Sequence, residues 1–172
     1  MSESFPREHL EGLWAPWRVE YFEHKETSDP DFLLTAANST DDEAHFVVAR
    51  RKTCFLIMNK YPYSAGHLMV VPYRKINQLQ DLTEEEVLET WKLCIHAQQL
   101  LTICVRAQGF NVGWNIGRAG GAGVDDHLHL HVVPRWIGDS NFMTTISGAR
   151  VIPEGLTPLY KRLREAQSSL EG

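Results

Sequence analysis

Short apolar runs separated by turn residues follow one another between residues 45 and 72. His45–Arg50, Thr53–Asn59 and His67–Pro72 each read as a strand. Arg51 and Lys52 separate the first two, the spacing of a tight hairpin, and Lys60–Gly66, with Pro62 and Gly66, separates the second and third. The period then changes. From about Glu84 to Arg106 apolar residues recur at helical spacing, with Val87, Leu88, Trp91, Cys94, Ile95, Leu101 and Val105 as the expected buried stripe. Thr83 and Glu86 have capping-box spacing at its start, and Gln108-Gly109 marks its end. Asn111–Gly117 predicts a fourth strand, a glycine-rich stretch follows, and a fifth strand comes after it. A last helix is expected near Thr157-Pro158, over 157–170, carrying Leu159, Leu163 and Ala166. The stretch 23–43 is rich in Asp, Glu, Ser and Thr and reads as loop; residues 1–13 read as a polar, flexible segment. Hairpin-linked strands with inserted helices predict an α+β fold on an antiparallel sheet, as a single domain over 1–172.

The fifth strand carries the chemistry. His127, His129 and His131 alternate with Leu128, Leu130 and Val132. Strand side chains alternate between faces, so the three imidazoles are expected on one face and the apolar residues on the other. Each imidazole has a donor and an acceptor to satisfy, so a buried row of three without a use is costly. Three readings are open: nucleophilic catalysis at phosphorus through a phosphohistidine-type intermediate, a metal site that makes the protein a metal-dependent hydrolase, or hydrogen-bonded core histidines. Gly117-Arg118-Ala119-Gly120-Gly121-Ala122-Gly123 precedes the row, and glycines let backbone N–H groups approach an anion closely. Trp114, Trp136 and Phe142 are candidates to stack on a nucleobase.

Composition narrows the setting. The 172 residues are 43% hydrophobic and 23% charged, ordinary for a globular domain. Seventeen Lys and Arg against 22 Asp and Glu give a net charge of −5, which argues against nucleic acid as the partner. The odd, dispersed Cys54, Cys94 and Cys104 suit a reducing cytoplasm rather than a disulfide framework. The N-terminus, MSESFPREHLEG, does not resemble a signal peptide, and no apolar run approaches membrane-spanning length, so no membrane partner is expected.

His127–Val133 resembles the motif that defines the histidine triad (HIT) family. Asn59-Lys-Tyr-Pro-Tyr-Ser-Ala-Gly66-His67-Leu-Met-Val-Val-Pro72 is similar to a second block of that family. Leu13–Arg18, Gly109–Gly113 and Pro134–Met143 resemble a bacterial branch similar to diadenosine tetraphosphate phosphorylases and related hydrolases. The resemblance implies a sheet of about five strands with two main helices, dimeric through the long helix and the sheet edge. It implies a cytoplasmic enzyme acting on the α-phosphate of a dinucleoside polyphosphate or related nucleotide, such as a phosphoramidate, through a nucleotidyl-histidine intermediate. His129 would be the nucleophile. His131 would bind phosphate and assist the leaving group, and His127 would orient His129. His67 would be a buried partner of the row, and Asn59 would bind ribose. Gly123 would offer its N–H to phosphate, with Asn115 and Asn141 as further phosphate or nucleotide contacts.

Two departures bear on cofactors. Ser28–Leu33 lacks the Cys-x-x-Cys of many relatives, and Pro72-Tyr73-Arg74-Lys75 lacks the histidine that follows, so no structural zinc and no required cofactor is expected. A divalent ion accompanying the substrate stays open. Asp125 and Asp126 would repel a polyphosphate unless they point away, pair with Arg118 or Arg135, or bind such an ion. Gly123 stands where several relatives have Ser or Gln. These departures keep a non-catalytic nucleotide-binding sensor as a further reading.

Overall fold

A computed structural model describes residues 29, 31–139 and 154–171. Its elements are α1 (Phe32–Asn38), α2 (Asp42–His45), β1 (Val47–Arg50), β2 (Cys54–Met58), β3 (Leu68–Pro72), α3 (Glu84–Val105), β4 (Gly109–Trp114), β5 (Leu130–Arg135) and α4 (Leu156–Glu171). The five strands form one antiparallel sheet in the order β1-β2-β3-β5-β4. The architecture is the expected α+β one. No described helix is long and apolar enough to cross a membrane.

The sheet is covered on both faces, which is why β2 (CFLIM) and β3 (LMVVP) are continuous apolar runs, buried throughout. Leu56, Met58, Leu68, Val70, Leu130 and Val132 pack against Leu93, Ala97, Leu100 and Leu101 of α3 and Leu159 and Leu163 of α4. The alternate residues Phe55, Ile57, Met69 and Val71 pack on the other face, with Leu33 and Ala36 of α1.

That second cluster corrects the loop expected over 23–43 in its described part: α1 lies in it and α2 begins in it, despite its polar composition, and residues 23–28 and 30 lie outside the described residues. Asp29 accepts from the Asp31 N–H and the Thr35 hydroxyl, and so organises the first turn of α1. The Arg50 guanidinium reaches the carbonyls of Ala36, Ala37 and Ser39 at 2.9, 3.2 and 2.8 Å, capping its end. Tertiary packing of two apolar residues and one cap outweighs local composition here. His45 closes α2 instead of opening a strand, so β1 starts later than expected.

α3 has the expected bounds and the expected capping box, with the Thr83 hydroxyl and the Glu86 carboxylate serving each other's backbone N–H groups. Its buried face keeps Cys94 and Leu101 of the expected stripe and departs from it elsewhere. Glu86, Thr90, Leu93, Cys94, Ala97, Leu100, Leu101 and Cys104 are buried. Val87, Leu88, Trp91 and Ile95 are exposed, at 40%, 57%, 51% and 57%. The helix has two apolar faces, and small residues (Ala97, Cys94, Thr90) allow the nearer one to approach the sheet. Glu86 is tolerated inside because Arg74 pairs with it at 2.6 Å.

Candidate active site

β5 enters the ladder only at Leu130, where it pairs with Val70 of β3 and Trp114 of β4. Of the three histidines only His131 is therefore a ladder residue, opposite Met69 and Gly113. His127 and His129 lie in the lead-in, which corrects the expectation of one strand carrying all three. The lead-in is still tied to β3 and the segment after it: the Leu128 N–H donates to the Ile76 carbonyl at 2.7 Å, and His127 Nε2 bonds the Pro72 carbonyl at 2.9 Å. All three imidazoles are buried. Their sheet face is that of Met69, opposite the face covered by α3 and α4.

Fixed partners set the tautomers. A carbonyl only accepts, so His127 carries its proton on Nε2, toward Pro72. His129 Nδ1 lies 2.8 Å from the His127 carbonyl, so it donates there and leaves a lone pair on Nε2. His67 Nδ1 accepts from the Tyr63 backbone N–H and the Asn59 amide, each at 3.2 Å. Its proton is then on Nε2, donated to His131 Nδ1 at 2.8 Å. His131 must accept at Nδ1 and carry its own proton on Nε2. That Nε2 is buried and has no hydrogen-bond partner among the described residues. Two neighbouring rings, 4.8 Å apart and near-perpendicular, thus offer opposite chemistry: a lone pair on His129 and a buried N–H donor on His131.

Burial keeps the rings neutral. It pushes His67 well below the ordinary histidine value, and His131 and His129 add to that effect. Burial lowers His127 and His129 as well, and takes His131 from 6.5 down to about 4. A stability profile follows. Between about 4 and 6.5 the unfolded chain binds protons that folded His131 refuses, so stability is full above 6.5 and falls as pH drops toward 4. At ~1.4 kcal/mol per unit, His131 alone accounts for a loss of roughly 3 kcal/mol across that window. Thermal melts of wild type and His131→Gln from pH 7.5 to 4.5 check this: the variant should show a clearly shallower acid slope.

The other expected site residues divide. Asn59 sits against the row's outer partner, its Oδ1 accepting from the Tyr61 N–H at 2.8 Å and its amide donating to His67. Asn115 donates to the Tyr63 hydroxyl at 3.3 Å. Gly123 is exposed, and a Cβ there would meet nothing within 4 Å. Trp136 is not brought to the row: its indole N–H bonds the Val105 carbonyl at 3.0 Å, at the end of α3. Asn141 and Phe142 lie outside the described residues. Asp125 pairs with Arg118 at 2.7 Å and Asp126 with Lys75 at 2.6 Å, so both carboxylates have cations beside them. Arg135 pairs instead with Asp139.

Tyr63 had no assigned role. Its ring lies 4.5 Å from His67 and 5.5 Å from His131, covering both, and its backbone N–H sets the first tautomer. Its place in a Pro-containing turn four residues before His67 is the only signal for it in the chain. The turn also needs Gly66, whose φ is +81° and where a Cβ would fall 2.9 Å from Leu101 Cδ2. For the metal reading, no group of three or more His, Cys, Asp or Glu among the described residues is arranged to hold an ion.

Comparison with known proteins agrees with this geometry. Residues 40–136 match the HIT domain. The chain is 41% identical over 155 residues to an AP-4-A phosphorylase of Mycobacterium tuberculosis, covering 86% of this chain and 80% of that one. It is 32% identical over 89 residues to an asymmetrical bis(5'-nucleosyl)-tetraphosphatase of Schizosaccharomyces pombe, covering 52% and 48%. Among solved structures, a zinc-bound histidine triad family protein from Mycobacterium smegmatis superposes with a TM-score of 0.65 at 23% identity, covering 84% of this chain and 96% of that one. A histidine triad nucleotide-binding protein from Sulfolobus tokodaii gives 0.61 at 28% identity, covering 73% and 85%. The chain belongs to the histidine triad (HIT) family.

Proposed function

We propose that this protein is a nucleotidyl hydrolase or transferase that cleaves dinucleoside polyphosphates at the α-phosphate through a nucleotidyl-histidine intermediate. The observation that carries this reading is the opposed pair of nitrogens, a lone pair on His129 Nε2 beside a buried, unpartnered N–H on His131 Nε2. The phosphorylase and tetraphosphatase relatives supply the substrate class. His129 Nε2 attacks phosphorus; a P–N bond forms and the P–O bond to the departing polyphosphate breaks. The His127 carbonyl, bonded to His129 Nδ1–H, stabilises the positive charge that develops on the ring. His131 Nε2–H donates to the departing oxygen, and His67 supports it from behind. Water or phosphate then attacks phosphorus and releases His129.

Product analysis with diadenosine tetraphosphate, with and without inorganic phosphate, tests this reading. ADP plus ATP formed only with phosphate identifies a phosphorylase, and AMP plus ATP regardless of phosphate a hydrolase. No cleavage refutes the reading and leaves the sensor. The residues of 28–33 and 72–75 offer no cysteine or histidine to a structural zinc, so activity should survive chelation. Three buried free thiols suit a reducing compartment such as the cytoplasm.

The same reading makes the protein a homodimer. Leu88, Trp91 and Ile95 present an exposed apolar face on α3, and among the described residues β4 is an edge strand whose residues are half-buried or exposed. Trp91→Glu should shift the protein from dimer to monomer at micromolar concentration in sedimentation, with its circular dichroism unchanged. A wild-type monomer under those conditions refutes the assembly.

A further inference from the structure

The nucleophile sits just outside the sheet. β5 joins the ladder at Leu130, so ladder hydrogen bonds do not fix His129 or His127. The lead-in is instead clasped to the segment leaving β3. Two contacts of the clasp are single hydrogen bonds, Leu128 N–H to Ile76 O and His127 Nε2 to Pro72 O. Burial of His127, Leu128 and His129 holds the middle of the segment together with these bonds. The third contact lies one residue before His127, where Lys75 Nζ pairs with Asp126 Oδ2 at 2.6 Å. The same ammonium also pairs with Asp31, the residue that begins α1. Lys75 therefore joins three pieces: the exit of β3, the start of α1 and the lead-in that carries His127 and His129.

We propose that Lys75 is a positioning residue for the nucleophile, its ammonium bridging Asp126 and Asp31 so that the lead-in holds His129 at one orientation. The side chains of Lys75, Asp31 and Asp126 are 31%, 48% and 53% exposed, so the bridge adds little to global stability. Its effect is geometric. A small loss of orientation in a reacting group costs little energy and much rate.

The expected rate effect rests on the reaction proposed above; the ring spectrum does not. Lys75→Met should lower kcat on diadenosine tetraphosphate by about 10- to 100-fold, with KM changed by less than about threefold. Lys75→Arg, which keeps the bridge, should restore most of the rate. Asp126→Asn should reproduce the loss, and the double variant should lose no more than the worse single one, because both remove one interaction. In imidazole nitrogen spectra wild-type His129 should show one tautomer, protonated on Nδ1, and Lys75→Met a mixture of tautomers. A raised KM with unchanged kcat would make Lys75 a substrate contact and overturn the proposal. An unchanged ring spectrum overturns it too, as does a rate loss that follows Tm and is not rescued by arginine. If wild type cleaves no dinucleotide, the spectra still decide the role of Lys75, separately from the reaction.

Discussion

His129→Ala should abolish turnover, by at least about 10⁴-fold in kcat, while nucleoside monophosphate binding changes only a few-fold. The geometry makes this the largest effect in the molecule. His129 is held with its proton on Nδ1 by the His127 carbonyl, so its Nε2 lone pair is the one aimed away from that bond. His131 cannot replace it, because His67 occupies its Nδ1 and its Nε2 carries a proton. Rapid quench with labelled substrate is the direct check: wild type should accumulate label on protein, and the variant none. Turnover within about tenfold of wild type would remove His129 from its role.

His131→Ala should cost about 10²- to 10⁴-fold in kcat, the usual range for loss of a positioned proton donor. The loss should depend on the leaving group. A polyphosphate departs as a fairly stable anion, whereas the amine of a nucleoside phosphoramidate departs only when protonated. The variant should therefore lose more on the phosphoramidate than on the dinucleotide, in parallel kcat measurements. Equal losses would mean that His131 binds phosphate without donating a proton. His67→Ala should move in the same direction by a smaller factor, since His67 acts only through the proton it donates to His131.

The acid side of the rate profile follows from the same burial. The row reacts when neutral, and all of its rings titrate below the ordinary histidine value. The rate should stay flat through neutral pH and fall only below 6.5.

Much of this was legible in the chain. The period-two row, the hairpin turns and the Thr83–Glu86 capping box are local patterns, and local patterns need only backbone geometry to be read. They determined the α+β class, the five strands and the long helix within a few residues, and they singled out His127, His129 and His131 as the chemistry. Three other features depended on what packs against what. Residues 32–38, inside the acidic stretch, became helix because Leu33 and Ala36 found the far face of the sheet and Arg50 capped the end. The buried face of α3 rotated away from the most apolar stripe, because closeness to the sheet favours Ala97, Cys94 and Thr90, and the larger residues stayed outside.

The tautomers belong to the same class. A histidine's proton follows its neighbours, and the deciding partners of the row are Tyr63 N–H, Asn59, the carbonyls of Pro72 and His127, and His67. His67 is 64 positions from His131, and the Pro72 carbonyl is 55 from His127. By itself the sequence determined that this chain mounts three imidazoles beside an apolar strand. Only the tertiary structure decided which nitrogen is a lone pair and which a proton donor, because that choice is made by hydrogen bonds between segments brought together in folding.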